Sequence, residues 1–261
     1  MRVKSCLLFV CLIGLTSCSQ ESATKCRPPN QLACESVNLS GMELAGSDLT
    51  RADLTSANLE KMVLKNTQLE NAYLINADLN EANLSGANLT KAYLSKANLS
   101  KVDLSNADLT NAILFAANLS GANLTKSLLI KSYLVGAIFI GANLTNANLS
   151  GARMEFADFT SANLSGANLS NPWPSGEFSH YPNLDYSVLV NANLSNANLR
   201  SASLWEAELR GANLTGADLR GANLFGADLT NANLFNADLT DVELENVIFK
   251  GATMPDGTIH E

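Results

Sequence analysis

The sequence predicts an all-β solenoid, a chain wound into a regular coil rather than packed from separate helices and sheets. Two observations support this fold class. A pattern of the form Ala-(Asp/Asn)-Leu-x-x recurs from about Val37 to Met254, with a large apolar residue at every fifth position, the centre of each pentad. Of its 42 centres 37 are Leu, and Ala stands two places before the centre in 30 of them. Self-similarity of this length at a fixed period is typical of a repeat architecture.

A period of five fits neither an α-helix nor a straight strand. On a helix five residues turn ~500°, so successive leucines drift by ~140° and surround the axis. On a strand an odd period would place alternate leucines on opposite faces. The leucines share one core only if each pentad is extended for about three residues and then turns.

The residue types assign a place to each position of the pentad. Ala and Leu lie two apart and point inward together, while the Asp or Asn between them points outward. The last two positions are rich in Ser, Thr, Gly, Asn and Lys, which accept turn geometry and form a corner. Four corners close a square coil, so residues 20 apart in the chain stack at the ~4.8 Å spacing of neighbouring strands.

Pentads such as 86–90 and 211–215 are close to the consensus of the pentapeptide-repeat family, which the chain resembles over most of its length. The resemblance implies a right-handed quadrilateral β-helix. At about 20 residues per coil it would have about 10 coils, interrupted by one loop, and would rise ~50 Å.

The first element, residues 1–17, is predicted to be a lipoprotein signal peptide. Arg2 and Lys4 precede an apolar stretch at 6–15, which is too short to span a bilayer. The stretch ends in Leu-Thr-Ser-Cys18, which resembles a bacterial lipobox. The resemblance implies that Cys18 becomes the mature N-terminus and carries a diacylglyceryl group and an acyl chain such as palmitate, enough for stable membrane anchoring. An ordinary cleaved signal with an incidental Cys is the alternative.

Residues 18–36 are predicted to be a lipidated tether followed by a cap on the first coil. The lipid anchor would place the protein outside the cytoplasm, and Ser19 rather than Asp after the Cys favours the outer membrane or cell surface over the inner membrane. An oxidising compartment would allow a disulfide between Cys26 and Cys34. Cys34 is in phase with the leucines, so a buried free thiol is the alternative.

The coil is predicted in two parts, 37–170 and 184–254, separated by an interruption at 171–183. The interruption, NPWPSGEFSHYPN, contains three prolines. It either forms two degenerate pentads within the coil or lets ten residues loop out, and the missing amide donor of proline favours the loop. The loop would move Leu184, Leu204 and Leu224, with Trp205 and Phe225, to the side of Met154.

A looped interruption would also bring aromatic residues beside an apolar side of the coil, where it would act as a lid. Its aromatic residues are Trp173, Phe178 and Tyr181. After the second part of the coil, residues 255–261 are predicted to form a C-terminal tail. Its Pro-Asp-Gly sequence indicates a turn that stops the ladder.

Charge and composition argue against several classes of function. The formal net charge of −8 makes nucleic acid an unfavourable partner. The two histidines, His180 and His260, lie in the interruption and beside the C-terminus, and no Cys/His or His/carboxylate cluster has the spacing of a metal site. Asp218 and Asp238 should stack on each other, as solvated repeat positions rather than as a paired-carboxylate dyad. We therefore predict no catalytic residue, no metal and no cofactor.

One side of the predicted coil departs from the polar consensus. The outward residues next to the centres Leu74, Leu94, Leu114 and Leu134 are mostly apolar, where other sides carry Asn, Asp, Ser and Thr. They are Tyr73, Ile75, Tyr93, Ile113, Phe115, Tyr133 and Val135. A contiguous apolar surface on a polar rod is typical of a covered or contacting face.

These features together predict a non-enzymatic scaffold or protein-interaction module, anchored to a membrane outside the cytoplasm. Its partner would be an unknown envelope protein or a second copy of the chain. One alternative is a self-associating structural protein of the envelope. Another is a carbohydrate-binding module whose exposed tyrosines stack on sugar rings.

Overall fold

A computed structural model describes residues 36–170 and 184–261 of the chain. Several predictions concern residues outside these ranges: the signal peptide, the lipid on Cys18, the disulfide between Cys26 and Cys34, and the lid at 171–183 with Trp173, Phe178 and Tyr181. All of them remain predictions.

Within the two described ranges each pentad contributes one residue, the one before the centre, to an isolated parallel β-bridge. Asn58 pairs in this way with Asp78, and Asp78 with Asn98. These ranges contain no α-helix and no strand longer than one bridge. The predicted all-β coil is present, but its extended segments are shorter than ordinary strands because a turn follows every centre.

The bridges form four columns, which we call sides 1 to 4 of the coil. Side 1 runs from Asn38 to Ile248, side 2 from Glu43 to Thr253, and side 3 from Asp48 to Asp238. Side 4 runs from Asp53 to Arg153 and again from Ser203 to Glu243. On either side of residues 171–183, successive members of a column are 20 residues apart, as expected for four pentads per coil. The cross-section is therefore quadrilateral.

The register changes where the interruption lies. Asp158 pairs with Val188 and Asn168 with Asn198, a separation of 30 residues instead of 20. The pairing between the two described parts of the coil therefore spans ten residues more than the pairing between other neighbouring coils. The Phe156 N–H accordingly donates to the Asp185 carbonyl at 3.2 Å. Side 4 therefore continues upward from Met154 to Leu184.

Each corner is a tight turn closed by the backbone and supported by the side chain before the centre. The Ala57 N–H donates to the Leu54 carbonyl at 3.0 Å, and Ser56, the second corner residue, has φ 55°. The Thr55 N–H donates to the Asp53 carboxylate at 3.1 Å. Asp and Asn make this local bond readily, which explains their frequency before the centres.

The core is a stack of Ala and Leu layers. Almost all centres and the alanines two places before them are fully buried between Ala52 and Leu234. Phe139 and Phe159 replace two leucines and stack inside the coil, with ring centroids 4.7 Å apart. Where a hydroxyl replaces Ala, it is satisfied: Ser127 Oγ donates to the Leu124 carbonyl at 2.7 Å. Such a core is almost free of unpaired polar groups.

The core opens towards the C-terminal end of the coil, and the tail covers part of it. Leu244, a centre in the last coil, is 39% exposed. After Met254 the chain reverses, and Ile259 pairs antiparallel with Thr253. The Gly251 N–H donates to the His260 carbonyl at 2.7 Å. No helix within 36–170 or 184–261 is long and apolar enough to cross a membrane.

Candidate interaction surface

The seven apolar residues predicted from the sequence to share one side of the coil lie together on side 4. We call the surface that they form the apolar stripe. Tyr73, Tyr93, Ile113 and Tyr133 are successive members of the side 4 column. The others occupy the corner that follows and are Ile75, Phe115 and Val135. Phe115 is 40% exposed and the other six are half-buried. The stripe spans four coils without a polar residue in its column.

The aromatic rings of the stripe pack against one another along the rod. Tyr73 and Tyr93 stack with centroids 4.8 Å apart and planes within 4°. Phe115 and Tyr133 lie 6.3 Å apart at 37°. Ring pairs of this kind contribute ~0.5–1.5 kcal/mol beyond burial. Because stacked tyrosines cover each other's faces, this part of the stripe presents mainly ring edges.

A charged residue bounds the stripe at each end. Below Tyr73 the column continues to Asp53, and above Tyr133 to Arg153. The Arg153 guanidinium lies 5.0 Å from the centre of the Tyr133 ring and donates to Glu155 Oε1 at 2.7 Å. The hydrogen bond to Glu155 raises the pKa of Arg153, so the guanidinium stays charged.

A second apolar feature, the aromatic ladder, follows the same corner beyond Arg153. Its residues are Phe156, Tyr186, Trp205 and Phe225. Phe156 and Tyr186 stack at 5.2 Å and 6°, Tyr186 and Trp205 lie 6.3 Å apart, and Trp205 meets Phe225 edge to face at 5.8 Å. Trp205 and Phe225 reach this side because of the 30-residue register.

Phe156 and Tyr186 were not predicted from the sequence, because neither residue stands directly next to a pentad centre. Both are second corner residues, where most pentads carry Gly, Asn, Ser or Lys. Their φ values are 59° and 58°, a region that bulky residues rarely adopt. They are nonetheless 62% and 41% exposed. The signal in the sequence is an aromatic residue at a position that favours small or flexible ones.

The stacked carboxylates on side 3 form an ion-pair row rather than a catalytic dyad. Arg220 binds both Asp218 and Asp238, and Arg200 lies 3.9 Å from Asp218. The hydrogen bond from Arg220 lowers the pKa of Asp218. A proton-sharing pair of carboxylates would instead raise one pKa. Within the described ranges no group of three or more His, Cys, Asp or Glu residues is placed to hold a metal ion.

Comparison with known proteins gives a family and several solved structures. The family model described as pentapeptide repeats matches 8 copies, over residues 34–71, 67–106, 92–129, 137–171, 183–216 and 212–251. The chain is 35% identical to HetL from the cyanobacterium Nostoc sp. strain PCC 7120, a pentapeptide-repeat protein involved in heterocyst differentiation regulation. That match covers 100% of both chains, with a TM-score of 0.40.

Two further structures are similar over parts of the chain. Rfr23 from the cyanobacterium Cyanothece 51142 is 38% identical, covering 46% of this chain and 64% of its own, with a TM-score of 0.28. QnrB1, a plasmid-mediated fluoroquinolone resistance protein, is 20% identical over 82% of this chain and 90% of its own, with a TM-score of 0.26. A comparison with curated proteins gave no match.

Proposed function

Because the chain belongs to the pentapeptide-repeat family, we propose that it works as a non-enzymatic protein-interaction scaffold whose contact site is the apolar stripe on side 4. The observation that carries this proposal is the contiguity of the stripe. Tyr73, Tyr93, Ile113 and Tyr133 occupy four successive coils of one column. Contiguous apolar patches on an otherwise polar surface mark interaction sites.

Rigidity supports the same role. Neighbouring coils are joined on every side by backbone hydrogen bonds, such as Tyr93 N–H to the Ala72 carbonyl at 2.9 Å. A solenoid of this kind presents an extended surface in which each residue keeps a fixed place. A partner would therefore meet a preorganised stripe, which lowers the entropic cost of association.

The geometry favours a protein partner over a carbohydrate. Sugar rings stack on the open faces of aromatic side chains, whereas the faces of Tyr73 and Tyr93 are turned towards each other at 4.8 Å. Phe156 and Tyr186 are stacked in the same way at 5.2 Å. Ring edges and aliphatic side chains such as Ile113 are better matched by the apolar side chains of a protein.

Affinity capture with a matched control tests the proposal. Tyr93→Asn and Ile113→Asn together remove the middle of the stripe and introduce the residue that most columns carry before the centre. Val63→Asn makes the same kind of change on side 2, away from the stripe. We expect proteins captured by the wild type, identified by mass spectrometry, to be lost with the double variant and kept with Val63→Asn. An identical set with all three would overturn the proposal.

We further propose that the scaffold is held at a membrane outside the cytoplasm by lipid on Cys18. The support is the sequence alone: the apolar stretch at 6–15 and the lipobox-like residues that end at Cys18. Cys18→Ala should leave the protein without lipid and move it from the membrane fraction to the soluble fraction. Membrane retention of the intact Cys18→Ala protein would contradict the anchor.

A further inference from the structure

We infer that the partner of the apolar stripe is a second copy of this chain, docked side 4 against side 4 with the two rods antiparallel. The inference rests on the proposed function, because it names the occupant of the same surface. It comes from the order of residues along the column. Asp53 stands at one end, Arg153 at the other, and four apolar residues lie between them.

When the order of residues in one copy is reversed, its charges and apolar residues match those of the other copy. The two copies would be related by a two-fold axis in the interface, perpendicular to the rods and midway between Tyr93 and Ile113. This axis reverses the order of the coils and places the side 4 column of one copy opposite that of the other. Asp53 then lies opposite Arg153 of the partner subunit. Between the charged ends, Tyr73 faces Tyr133 of the partner subunit and Tyr93 faces Ile113 of the partner subunit. Every contact forms twice.

The corners beside the column follow the same pattern. On the corner that follows, Ile75 comes opposite Val135 of the partner subunit. On the corner that precedes, Glu70 lies in the coil of Tyr73 and Lys131 in the coil of Tyr133, so the axis brings Glu70 to the level of Lys131 of the partner subunit, one corner position away. The antiparallel arrangement therefore brings together two kinds of ion pair around an apolar centre.

In a parallel arrangement of the two rods, the charges do not match. With the two-fold axis along the rods, Asp53 would meet Asp53 and Arg153 would meet Arg153 of the partner subunit. Like charges placed opposite each other in an interface disfavour that arrangement. The charges at the two ends of the stripe therefore select the antiparallel register.

The repeat itself favours a second copy. The stripe presents its rings at the spacing of the coils, 4.8 Å between Tyr73 and Tyr93. Another rod of the same chain has this spacing between its described coils, so side chains that interdigitate in one coil can also interdigitate in the next.

The size of the stripe sets the strength expected. Six coils at ~4.8 Å give a contact ~29 Å long, and one side with its corners gives roughly 400 Å² per subunit, about half of a standard interface. The dimer should therefore be weak and dependent on concentration.

Charge reversal and its compensation test the register. Sedimentation equilibrium of the full chain, in a density-matched detergent and over a wide range of concentration, gives the association constant. Asp53→Arg and Arg153→Asp should each weaken dimerisation about tenfold or more, because each creates two like-charge contacts. The double variant Asp53→Arg/Arg153→Asp should restore the association constant to within about threefold of the wild type.

Arg153→Asp also removes the ion pair between Arg153 and Glu155 within one chain. A second pair of charge reversals, at Glu70 and Lys131, leaves that ion pair intact. Glu70→Lys and Lys131→Glu should each weaken association, and the two together should restore it. The fold should tolerate Asp53→Arg, because Arg153 and Tyr73 occupy the same position in the pentad without a carboxylate. Thermal melts of every variant check this.

The outcomes separate this inference from the proposed function. Weakening by single reversals with rescue by both exchanges supports the antiparallel dimer. Association that no reversal changes, or that neither exchange restores, overturns it. A wild-type chain that stays monomeric at all concentrations also overturns it. The capture experiment with Tyr93→Asn/Ile113→Asn then still decides whether the stripe binds a foreign protein.

Discussion

At the scale of single residues, an Asn before a centre can serve two purposes. The Asn98 side-chain oxygen accepts the Ser100 N–H of its own corner at 3.3 Å. The Asn98 amide donates to Asp78 Oδ1, one coil below, at 2.9 Å. One side chain therefore closes a turn and also joins two coils. Asn can do both because its side chain carries a donor and an acceptor, whereas an ionised Asp can only accept.

The buried centres should dominate stability. Leu109 is fully buried, and Leu109→Ala should lower the free energy of unfolding by ~2–5 kcal/mol because stacked coils can hardly close around the void. Lys91, an exposed corner residue, is the control: Lys91→Ala should stay within about 0.5 kcal/mol. Chemical denaturation monitored by circular dichroism gives both values. Equal losses would contradict the inward assignment of the centres.

The second corner position should respond to backbone conformation rather than to space. Gly121 has φ +66°, and a Cβ there would lie 3.6 Å from Lys101 Cγ, an ordinary contact. Gly121→Ala should therefore cost about 1 kcal/mol from the left-handed conformation alone. Gly121→Asn should cost less, since Asn tolerates this region, and Gly121→Val more. Denaturation midpoints give the order of stability of the three variants. A Val variant as stable as the Asn variant would contradict this prediction.

At the scale of one side of the coil, the stacking of pentads from successive coils places their outward residues in continuous rows. On side 3, Asp218 and Arg220 form an ion pair within one pentad, and the next coil places Asp238 beside the same Arg220. Side 4 does the same for the apolar stripe. A row therefore has properties, such as a shared charge network or a continuous apolar surface, that no single pentad has.

The side 3 row should make stability depend on acid pH. The Arg220 hydrogen bond lowers the pKa of Asp218 in the folded protein, so its stabilisation is fully present above the usual Asp pKa of about 4. It is lost as the pH falls through the lower, folded pKa. The thermal midpoint should therefore decrease as the pH is lowered below the usual Asp pKa of about 4, and it should decrease less steeply in Arg220→Gln.

A matched variant separates this pair from general acid sensitivity. Arg51 makes no ion pair within the described residues, so Arg51→Gln should keep the wild-type slope of thermal midpoint against pH. If Arg220→Gln also keeps that slope, the Arg220–Asp218 bond contributes nothing to acid stability.

At the scale of the whole molecule, order should decrease towards the C-terminal end. Centres such as Leu109 are fully buried between coils, whereas Leu244 is 39% exposed and Leu239 and Phe249 are only partly buried. The last coil has a neighbour on one side only, except where the tail pairs with it. In a solenoid each unit contacts only its neighbours, so a weak end need not weaken the middle.

Deleting residues 255–261 should loosen the last coil alone. The deletion removes the bonds from Gly251 N–H to the His260 carbonyl and from Met254 N–H to the Thr258 carbonyl. Hydrogen exchange should accelerate at 239–254 and stay unchanged around Leu109. Faster exchange throughout the coil would show that the tail stabilises the entire solenoid and contradict nearest-neighbour behaviour.

Much of the architecture could be predicted from the sequence because the information is local. Leu and Ala two apart define the inward positions, and Asp, Asn and Gly define the corners within the same pentad. The stripe from Tyr73 to Val135 was also predictable, since four pentads per coil turn sequence spacing into columns. Phe156 and Tyr186 were not recognised, because an exposed aromatic residue with positive φ contradicts its own local preference.

By itself, the sequence determined the four-sided coil, its buried centres and the side on which the apolar stripe lies. Only the tertiary structure decided how the two parts of the coil are joined. The interruption separates Leu169 from Leu184 by 15 residues, a multiple of five, so the phase is the same whether or not ten residues leave the coil. The difference appears only in hydrogen bonds between coils, where Asp158 meets Val188. Pairing between distant residues, which the period does not specify, therefore placed Tyr186, Trp205 and Phe225 above the stripe.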